Sequence, residues 1–278
     1  YYTRACNFYY GKISKSLVKD KKSLPLNGNK EISFDQIELI SRNSKKKIYF
    51  KNIKFLPRRI KKKIYSDIKL IKKKKKIKNL NLTNTPILMG ILNLTPDSFS
   101  DGGKYLKTNS GYMYAKKIIQ EGCKIIDIGG ESTRPGASNV NEKKEWERIS
   151  ATLKKIKKLK YYVSIDTRKS WIMEQSIINK ANLINDVSGL NFDPNSIKVI
   201  KKYNAPFVLN HMKGSPKTMQ DNPKYKNVLL DIYDYFEKKI NLLRKNGILH
   251  NNIILDPGIG FGKNLKHNIT LISNVSIF

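Results

Sequence analysis

Six short apolar runs recur from residue 86 onward in this 278-residue sequence, and segments with helical spacing separate them. The runs occupy residues 87–92, 124–128, 161–165, 183–187, 206–210 and 252–255. The segments between them occupy residues 112–121, 142–159, 170–179, 194–203 and 226–246. Strands that are apolar on both faces and alternate with helices indicate a parallel sheet covered by helices, and hence an α/β fold.

The polar residues at the ends of these runs favour one of two parallel architectures. A doubly wound sheet concentrates its site at one switch point, whereas a (β/α)8 barrel recruits residues from most strand ends. Here polar residues follow every run, namely Asn93, Asp127 with Glu131, Asp166, Asn185, His211 and Asp256. We therefore predict a (β/α)8 TIM barrel that is incomplete, because about six βα units are present where eight are needed.

Residues 1–85 carry most of the net positive charge. They hold 25 Lys and Arg against five Asp and Glu, in a chain whose net charge is +33. The stretch 32–40 is compatible with a strand or a short helix, whereas the lysine blocks 61–63 and 72–76 favour solvated or disordered backbone. We predict a basic N-terminal extension over residues 1–85, ending in a linker near 79–85, and a barrel domain over residues 86–278.

Composition narrows the classes of function. Lysine supplies 47 of the 55 cations and arginine only eight. Proteins that recognise nucleic-acid bases usually need the bidentate hydrogen bonds of arginine, which lysine cannot make. Ile and Asn are abundant too, so a genome-wide bias explains the lysines, and nucleic acid is not a predicted partner. A nucleic-acid-binding N-terminal segment stays the alternative, and its binding would depend steeply on salt. No apolar run is long enough to predict a membrane helix, and the two cysteines, Cys6 and Cys123, suit reduced thiols in the cytoplasm.

Three polar residues that end predicted strands suit a heterocyclic ligand. Asp166, Asn185 and Asp256 would converge at the mouth of a barrel. Two carboxylates and an amide provide acceptors and donors for a planar edge such as that of a 2-amino-4-oxopyrimidine. Helix N-capping also places Asp and Asn after strands, and it stays the alternative explanation.

Other motifs suit anions, metal or close backbone packing. The oxygen ligands that follow the first run suit Mg²⁺ shared with substrate phosphates, and Arg134 suits an anion. His211 has no second ligand at metal spacing, so we expect a hydrogen-bonded histidine rather than a zinc ligand. The glycine-rich run 258–263 fails the spacing of a phosphate loop, but its glycines would let the backbone approach a flat ligand closely.

Six motifs at the strand ends resemble those of one family. They read Asn-Leu-Thr-Pro-Asp-Ser-Phe-Ser-Asp-Gly-Gly (93–103), Asp-Ile-Gly-Gly-Glu-Ser-Thr-Arg-Pro-Gly (127–136), Ser-Ile-Asp-Thr (164–167), Ile-Asn-Asp-Val-Ser-Gly (184–189), His-Met-Lys-Gly-Ser-Pro-Lys-Thr-Met-Gln (211–220) and Asp-Pro-Gly-Ile-Gly-Phe-Gly-Lys-Asn (256–264). In this order they resemble the dihydropteroate synthases, a family of pterin-binding barrels, over residues 85–278. Residues 1–85 match no motif that we can assign.

The resemblance implies a transferase of folate biosynthesis. Such an enzyme condenses 6-hydroxymethyl-7,8-dihydropterin diphosphate with 4-aminobenzoate and releases diphosphate. The resemblance implies that Asp166, Asn185 and Asp256 hold the pterin edge, with Thr133 beside the diphosphate end. It also implies Mg²⁺ as the cofactor, with Asn93 as its ligand.

The resemblance also implies roles for the loops that close over the substrates. The catalytic residues of the first loop would be Asp97 and Asp101. The residues that shape the aminobenzoate pocket would be Phe99, Arg134, Pro135 and Phe261. The implied partners are the small-molecule substrates, and no membrane association is expected. The resemblance is also compatible with a homodimer of the full-length protein.

The sequence departs from the family at two places. A Ser-Arg-Lys-type segment and an Arg-x-His pair that complete the family's site do not occur in these 278 residues, so we expect this chain alone to be inactive or poorly folded. Asn210 stands where the family often has an apolar residue. The alternative enzyme is a methyltetrahydrofolate-dependent methyltransferase of the same fold, which has no use for the first loop or for residues 131–136.

Overall fold

A computed structural model describes residues 1–78, 80, 82, 86–95, 110–132, 139–214, 219 and 222–278. The chain divides into two units. The N-terminal unit comprises Tyr1–Lys76 together with Ser273–Phe278, and the barrel unit comprises Ile77–Ile272. The sequence analysis set the division at residue 86, and it did not assign the last six residues to the first unit.

The N-terminal unit is built on an antiparallel sheet. Its strands are β1 (Tyr2–Tyr10), β2 (Leu24–Leu26), β3 (Asn29–Ile40) and β4 (Lys45–Tyr49). β3 pairs with β1, β2 and β4, so it is the central strand. Its helices are α1 (Gly11–Lys19), α2 (Arg58–Lys72) and a 3-10 turn over Phe50–Phe55. The core between them is apolar and includes Phe34, Ile37, Ile53, Ile64 and Ile68.

The expectation of solvated backbone at lysines 61–63 is wrong, because these residues lie inside α2. Ile64 and Ile68 are four residues apart on the buried face of this helix. Side chains at that spacing share one helix face, so the flanking lysines can stay at the surface while the helix packs. Lys63 and Asp67 also form an ion pair one turn apart, with 3.1 Å between Nζ and Oδ2. The stretch 32–40, which the sequence left open, is part of a strand.

The barrel unit holds a six-stranded parallel sheet, as predicted. Its strands, which pair in chain order, are β5 (Met89–Asn93), β6 (Ile125–Gly129), β7 (Tyr162–Asp166), β8 (Leu183–Asp186), β9 (Phe207–Asn210) and β10 (Ile253–Asp256). Its helices are α3 (Ser110–Gln120), α4 (Glu142–Lys158), α5 (Ser170–Ile178), α6 (Ser196–Tyr203), α7 (Val228–Lys245) and α8 (Leu265–Ser273). Every predicted strand and helix is confirmed, and each end agrees with the prediction to within two residues.

The two faces of this sheet differ in chemistry. Successive side chains of a strand point to opposite faces, so every second residue shares a face. One face is apolar and buried, and it includes Leu92, Ile126, Ile128, Val163, Ile165, Ile184, Phe207 and Leu209. The alternate residues near the carboxyl ends of the strands are polar, and they place the candidate site on the other face. No helix among the described residues is long and apolar enough to cross a membrane.

Candidate active site

Side-chain amides join carboxylates across the carboxyl end of the parallel sheet. Asn185 Nδ2 donates to Asp127 Oδ2 over 2.9 Å, although these residues belong to β8 and β6. Asn210 Nδ2 donates to Asp256 Oδ2 over 3.1 Å, between the neighbouring strands β9 and β10. Asp166 lies on β7 between the first pair and is in register with Asn185. The three residues predicted to hold a heterocycle therefore lie at one end of one sheet.

Two of the five polar residues at this site received no role from the sequence. Asp127 lies inside an apolar run, and Asn210 was noted only as a departure from the family pattern. Both are buried in the structure. Their position within each strand could have identified them. Successive side chains of a strand point to opposite faces, and Asp127 and Asn210 occupy positions on the same inward face as Asn185 and Asp256.

The helix-capping alternative does not explain Asp166 or Asn185. The residues at the N-caps of the two following helices are Lys169 and Asn195. Capping-type hydrogen bonds are made by the neighbouring Asp186, whose two oxygens accept from Ser188 N over 2.7 Å and from Leu190 N over 2.9 Å.

The site presents hydrogen-bond acceptors that lack partners. Asp127 Oδ1, Asn185 Oδ1 and Asn210 Oδ1 are buried, and none has a hydrogen-bond partner among the described residues. Buried polar atoms in native proteins are nearly always paired, so donors on a ligand would complete the hydrogen bonding of these acceptors. For Asp127, the Ser164 side chain on β7 also acts as a donor and lowers its pKa. The three atoms lie on β6, β8 and β9 and therefore suit a ligand with several N–H groups along one edge.

Burial favours the protonated forms of two acidic side chains at the site, Asp166 and Asp127. Burial raises the pKa of Asp166 well above its ordinary value, and the negative charge of Asp127 raises it further. Burial also raises the pKa of Asp127. Donors on a ligand would stabilise the ionised forms of these two side chains, so the site suits a ligand with several donors.

A buried ion cluster lies beside the site and joins β6, α4 and β7. Lys169 Nζ contacts Glu131 Oε1 at 3.0 Å and also forms an ion pair with Glu145. Arg168 Nε donates to Glu131 Oε2 over 2.9 Å, and Thr167 Oγ1 donates to Glu145 Oε1 over 2.7 Å. Burial by itself would raise the pKa of Glu131, but hydrogen bonds from its partners, Arg168 first, bring that pKa below its ordinary value.

The same cluster holds both ends of the loop that follows β6. Glu131 Oε1 accepts from Val140 N over 2.8 Å, nine residues further along the chain. Arg168 donates to Asn139 Oδ1 over 2.8 Å as well as to Glu131. The side chains of β6 and β7 therefore set the positions at which this loop leaves and rejoins the barrel unit.

Several predicted residues lie outside the described part of the chain. They are Asp97, Phe99 and Asp101 of the first loop and Thr133, Arg134 and Pro135 of the second. The predicted metal ligand Asn93 ends β5, where its amide oxygen would be 3.1 Å from a Cβ at Gly129. Among the residues that the structure describes, no group of three or more His, Cys, Asp or Glu side chains could hold a metal ion.

The glycine-rich loop after β10 packs against protein backbone. Gly258 and Gly262 have φ values of +67° and +63°, in the left-handed region. A Cβ at Gly258 would be 2.1 Å from His211 O, and one at Gly262 would be 2.8 Å from Lys213 O. The sequence suggested that these glycines allow close approach to a ligand, but at both positions the close approach is to the loop after β9. Phe261 lies in this loop, and its amide donates to Gly258 O over 3.1 Å.

Substitution of Gly258 by alanine should destabilise the protein. The new methyl group would collide with His211 O, and the residue would keep a strained φ, so we expect the free energy of unfolding to fall by at least about 2 kcal/mol. Urea unfolding followed by circular dichroism measures this change. Gly260→Ala is the matched control, because Gly260 has φ +83° but nothing within 4 Å of its Cβ position. It should cost only about 1 kcal/mol, and equal losses in the two variants would contradict the packing argument.

Comparison with known proteins agrees with this arrangement. Residues 89–278 match the model of the pterin-binding enzyme family. The chain is 44% identical over 199 residues to the dihydropteroate synthase of Clostridium beijerinckii, covering 71% of each chain. The chain belongs to the dihydropteroate synthase family. Members of this family are transferases of folate biosynthesis.

Solved structures of this family have the same fold. The dihydropteroate synthase of Yersinia pestis in complex with a sulfonamide drug has a TM-score of 0.65 and 40% identity, over 70% of each chain. The dihydropteroate synthase of Burkholderia cenocepacia complexed with 7,8-dihydropteroate has a TM-score of 0.63 and 34% identity, over 71% of this chain and 67% of that chain. The chain spans 64–71% of the length of the first curated family members that it matches. The six parallel strands and their helices have the α/β TIM-barrel fold of this family.

Proposed function

We propose that this chain forms the pterin-binding side of a dihydropteroate synthase active site. The reaction condenses 6-hydroxymethyl-7,8-dihydropterin diphosphate with 4-aminobenzoate and releases diphosphate. The observation that carries the proposal is the set of three unpaired buried acceptors, Asp127 Oδ1, Asn185 Oδ1 and Asn210 Oδ1. A pterin carries a 2-amino group and ring N–H groups along one edge, and these are the donors that such acceptors need. The family member complexed with 7,8-dihydropteroate supports the same ligand class.

The carboxylates have a second task in this proposal. Diphosphate leaves from a carbon attached to an electron-rich ring, so positive charge develops on the pterin as the bond breaks. Asp166 and Asp256 lie on neighbouring parts of the same sheet end as the unpaired acceptors, where negative charge stabilises that cation. No side chain has to form a covalent bond with the substrate. Thr133 is proposed to lie beside the diphosphate end, and Asp97 and Asp101 to act with the first loop.

Magnesium is the proposed cofactor, and Asn93 is its proposed protein ligand. An amide oxygen at the end of β5 is a hard ligand, and Gly129 has no side chain to crowd it. A single protein oxygen suits Mg²⁺, which keeps several waters and takes substrate phosphate oxygens as its other ligands. When bound, the ion would neutralise charge on the departing diphosphate.

The 4-aminobenzoate pocket is proposed to lie between the two loops and the segment after β10. Phe99, Arg134 and Pro135 would supply it from the loops, and Phe261 would add an apolar wall. A cytoplasmic location is proposed as well, because Cys6 and Cys123 are both free thiols. A homodimer of the full-length protein stays a prediction.

A binding experiment tests the pterin site directly. The chain is titrated with 6-hydroxymethylpterin and with the matching lumazine, which has an oxygen in place of the 2-amino group. Loss of donors that face buried acceptors costs about 1–3 kcal/mol each, so lumazine should bind at least about tenfold more weakly. Because we expect this chain alone to be inactive, the reaction is tested in the full-length protein, where release of diphosphate should require both substrates and magnesium. Equal affinity for the two heterocycles, or no pterin binding, would contradict the proposal.

A further inference from the structure

A lysine side chain is buried under the loop that follows β10. Lys263 is 3% exposed. Its Nζ lies 2.7 Å from Phe261 O, 3.2 Å from His211 O and 3.2 Å from His211 Nδ1. An ammonium group has three N–H donors and no acceptor, so these three contacts use all of its hydrogens. Lys263 makes no ion pair with a carboxylate in the part of the chain that the structure describes.

The contact to His211 determines where the imidazole carries its proton. Because Lys263 can only donate, Nδ1 of His211 has to accept, and an accepting ring nitrogen has no proton. A neutral imidazole then carries its single proton on Nε2. We propose that Lys263 is a positioning residue that holds His211 neutral with its proton on Nε2, and that ties the loop after β10 to the end of β9.

A short series of hydrogen bonds and packing contacts connects Lys263 to the candidate site. His211 N donates to Asp256 O over 3.0 Å, so the histidine is anchored directly beside this strand end. Asp256 Oδ1 accepts from Gly258 N over 2.7 Å, and Gly258 packs on His211 O. Lys263 bonds directly to His211 on one side of that packing. On the other side it bonds to Phe261 O, and the amide of Phe261 donates to Gly258 O. Loosening Lys263 would therefore loosen the hydrogen bond that orients Asp256.

The surroundings of His211 support a neutral ring. Burial lowers the pKa of His211 to about 4, and the charge of Lys263 lowers it further. A hydrogen bond to the backbone of His211 itself opposes this shift, and the charge of Lys213 adds a smaller lowering effect. Burial lowers the pKa of Lys263 to about 8, against the opposing effect of Asp256. At neutral pH the lysine is thus charged and the histidine is neutral, which is the arrangement that the hydrogen bond requires.

The aromatic neighbours of His211 do not compete for its proton. Its ring centroid lies 4.8 Å from that of Tyr235 on α7 and 6.1 Å from that of Tyr225. Burial raises the pKa of Tyr225 to about 12 and raises that of Tyr235 as well. Both phenols therefore stay protonated over the range in which His211 would titrate.

Nitrogen-15 NMR of histidine-labelled protein tests the proposal. The chain has three histidines, His211, His250 and His267, so substitution of the other two assigns the signals. We expect His211 to show one tautomer, with the proton on Nε2, and no protonation between pH 8 and about 5. A proton on Nδ1, a mixture of tautomers, or titration near pH 6.5 in the unsubstituted protein would overturn the proposal, whatever the variants do.

Two lysine variants separate the hydrogen bond from burial and charge. Lys263→Met should abolish the single tautomer and raise the pKa of His211. Lys263→Gln, which keeps one donor, should lie between it and the unsubstituted protein. Lys213→Met is the matched control, because Lys213 Nζ donates to Lys224 O and not to the imidazole. An unchanged His211 signal in Lys263→Met would show that burial alone sets the tautomer and would overturn the positioning role.

A second readout connects the lysine to ligand binding, and this part rests on the proposed function. Lys263→Met should weaken binding of 6-hydroxymethylpterin by about tenfold, while Lys213→Met leaves it unchanged. If the unsubstituted chain binds no pterin, the proposed function fails but the NMR result still tests the tautomer. If Lys263→Met loses the single tautomer but binds pterin as tightly as Lys213→Met does, the proposed connection between Lys263 and Asp256 is wrong.

Discussion

Replacement of Lys169 by methionine should lower the free energy of unfolding of the barrel unit by about 3–5 kcal/mol. Lys169 is the shared cation of Glu131 and Glu145, and its side chain is 7% exposed while that of Glu145 is fully buried. Removal of one member of a buried ion pair leaves an uncompensated charge in a region that excludes water, which is the reason for so large a loss. Urea unfolding at pH 7, followed by circular dichroism, measures it.

The matched control is a lysine at the surface. Lys202 pairs with Glu174 over 2.9 Å, but its side chain is 64% exposed. Lys202→Met should therefore cost less than about 1 kcal/mol, because water screens an exposed pair. Addition of Glu145→Gln to Lys169→Met should recover part of the lost stability, since it removes the unpaired charge. A Lys169 variant as stable as the Lys202 variant would contradict the importance of the cluster.

Substitution of Asp256 by asparagine should weaken pterin binding by at least about a hundredfold. Both oxygens of Asp256 accept hydrogen bonds, from Asn210 Nδ2 and from Gly258 N. An asparagine would turn an N–H group towards one of these donors, so the side chain would rotate away, and the negative charge would be lost as well. Loss of a buried charged partner typically costs about 2–5 kcal/mol of binding free energy, and a hundredfold loss of affinity lies within that range. Titration with 6-hydroxymethylpterin measures the affinity.

Asp193→Asn serves as the control for this prediction. Asp193 also accepts two backbone hydrogen bonds, from Ser170 N over 2.8 Å and from Asn195 N over 2.9 Å, but it lies in a turn before α6. Its substitution should reduce stability without changing pterin affinity. An equal fall of pterin affinity in both variants would mean that the loss of binding follows from lower stability. Unchanged affinity in Asp256→Asn would exclude Asp256 from the site.

The barrel strands could be predicted because their pattern is local. The strands β6 and β7 lie in short, mostly apolar runs, and polar residues mark their ends, so their positions could be predicted closely from the sequence. The N-terminal unit was harder. In α2, lysines surround Ile64 and Ile68 and obscure the four-residue spacing of the buried face.

The candidate site could be predicted in part. Asp166, Asn185 and Asp256 follow apolar runs, so the sequence alone marked them. Asp127 was marked as a polar residue at a strand end but received no role, and Asn210 was noted only as a departure from the family pattern. Their hydrogen-bond partners belong to other strands. A hydrogen bond between side chains 46 or 58 residues apart leaves no periodic trace in a sequence.

Sequence alone determined the order and type of the elements of the barrel unit, the row of polar residues at the strand ends and the family resemblance. These depend on hydrophobic periodicity and motif order, which are properties of neighbouring residues. Only the tertiary structure decided that Lys263 reaches His211 and that Lys169 joins two glutamates. In a chain with 47 lysines, residue type does not mark these two. Burial distinguishes them, because a cation removed from water has to find acceptors, and the fold alone determines which acceptors are near.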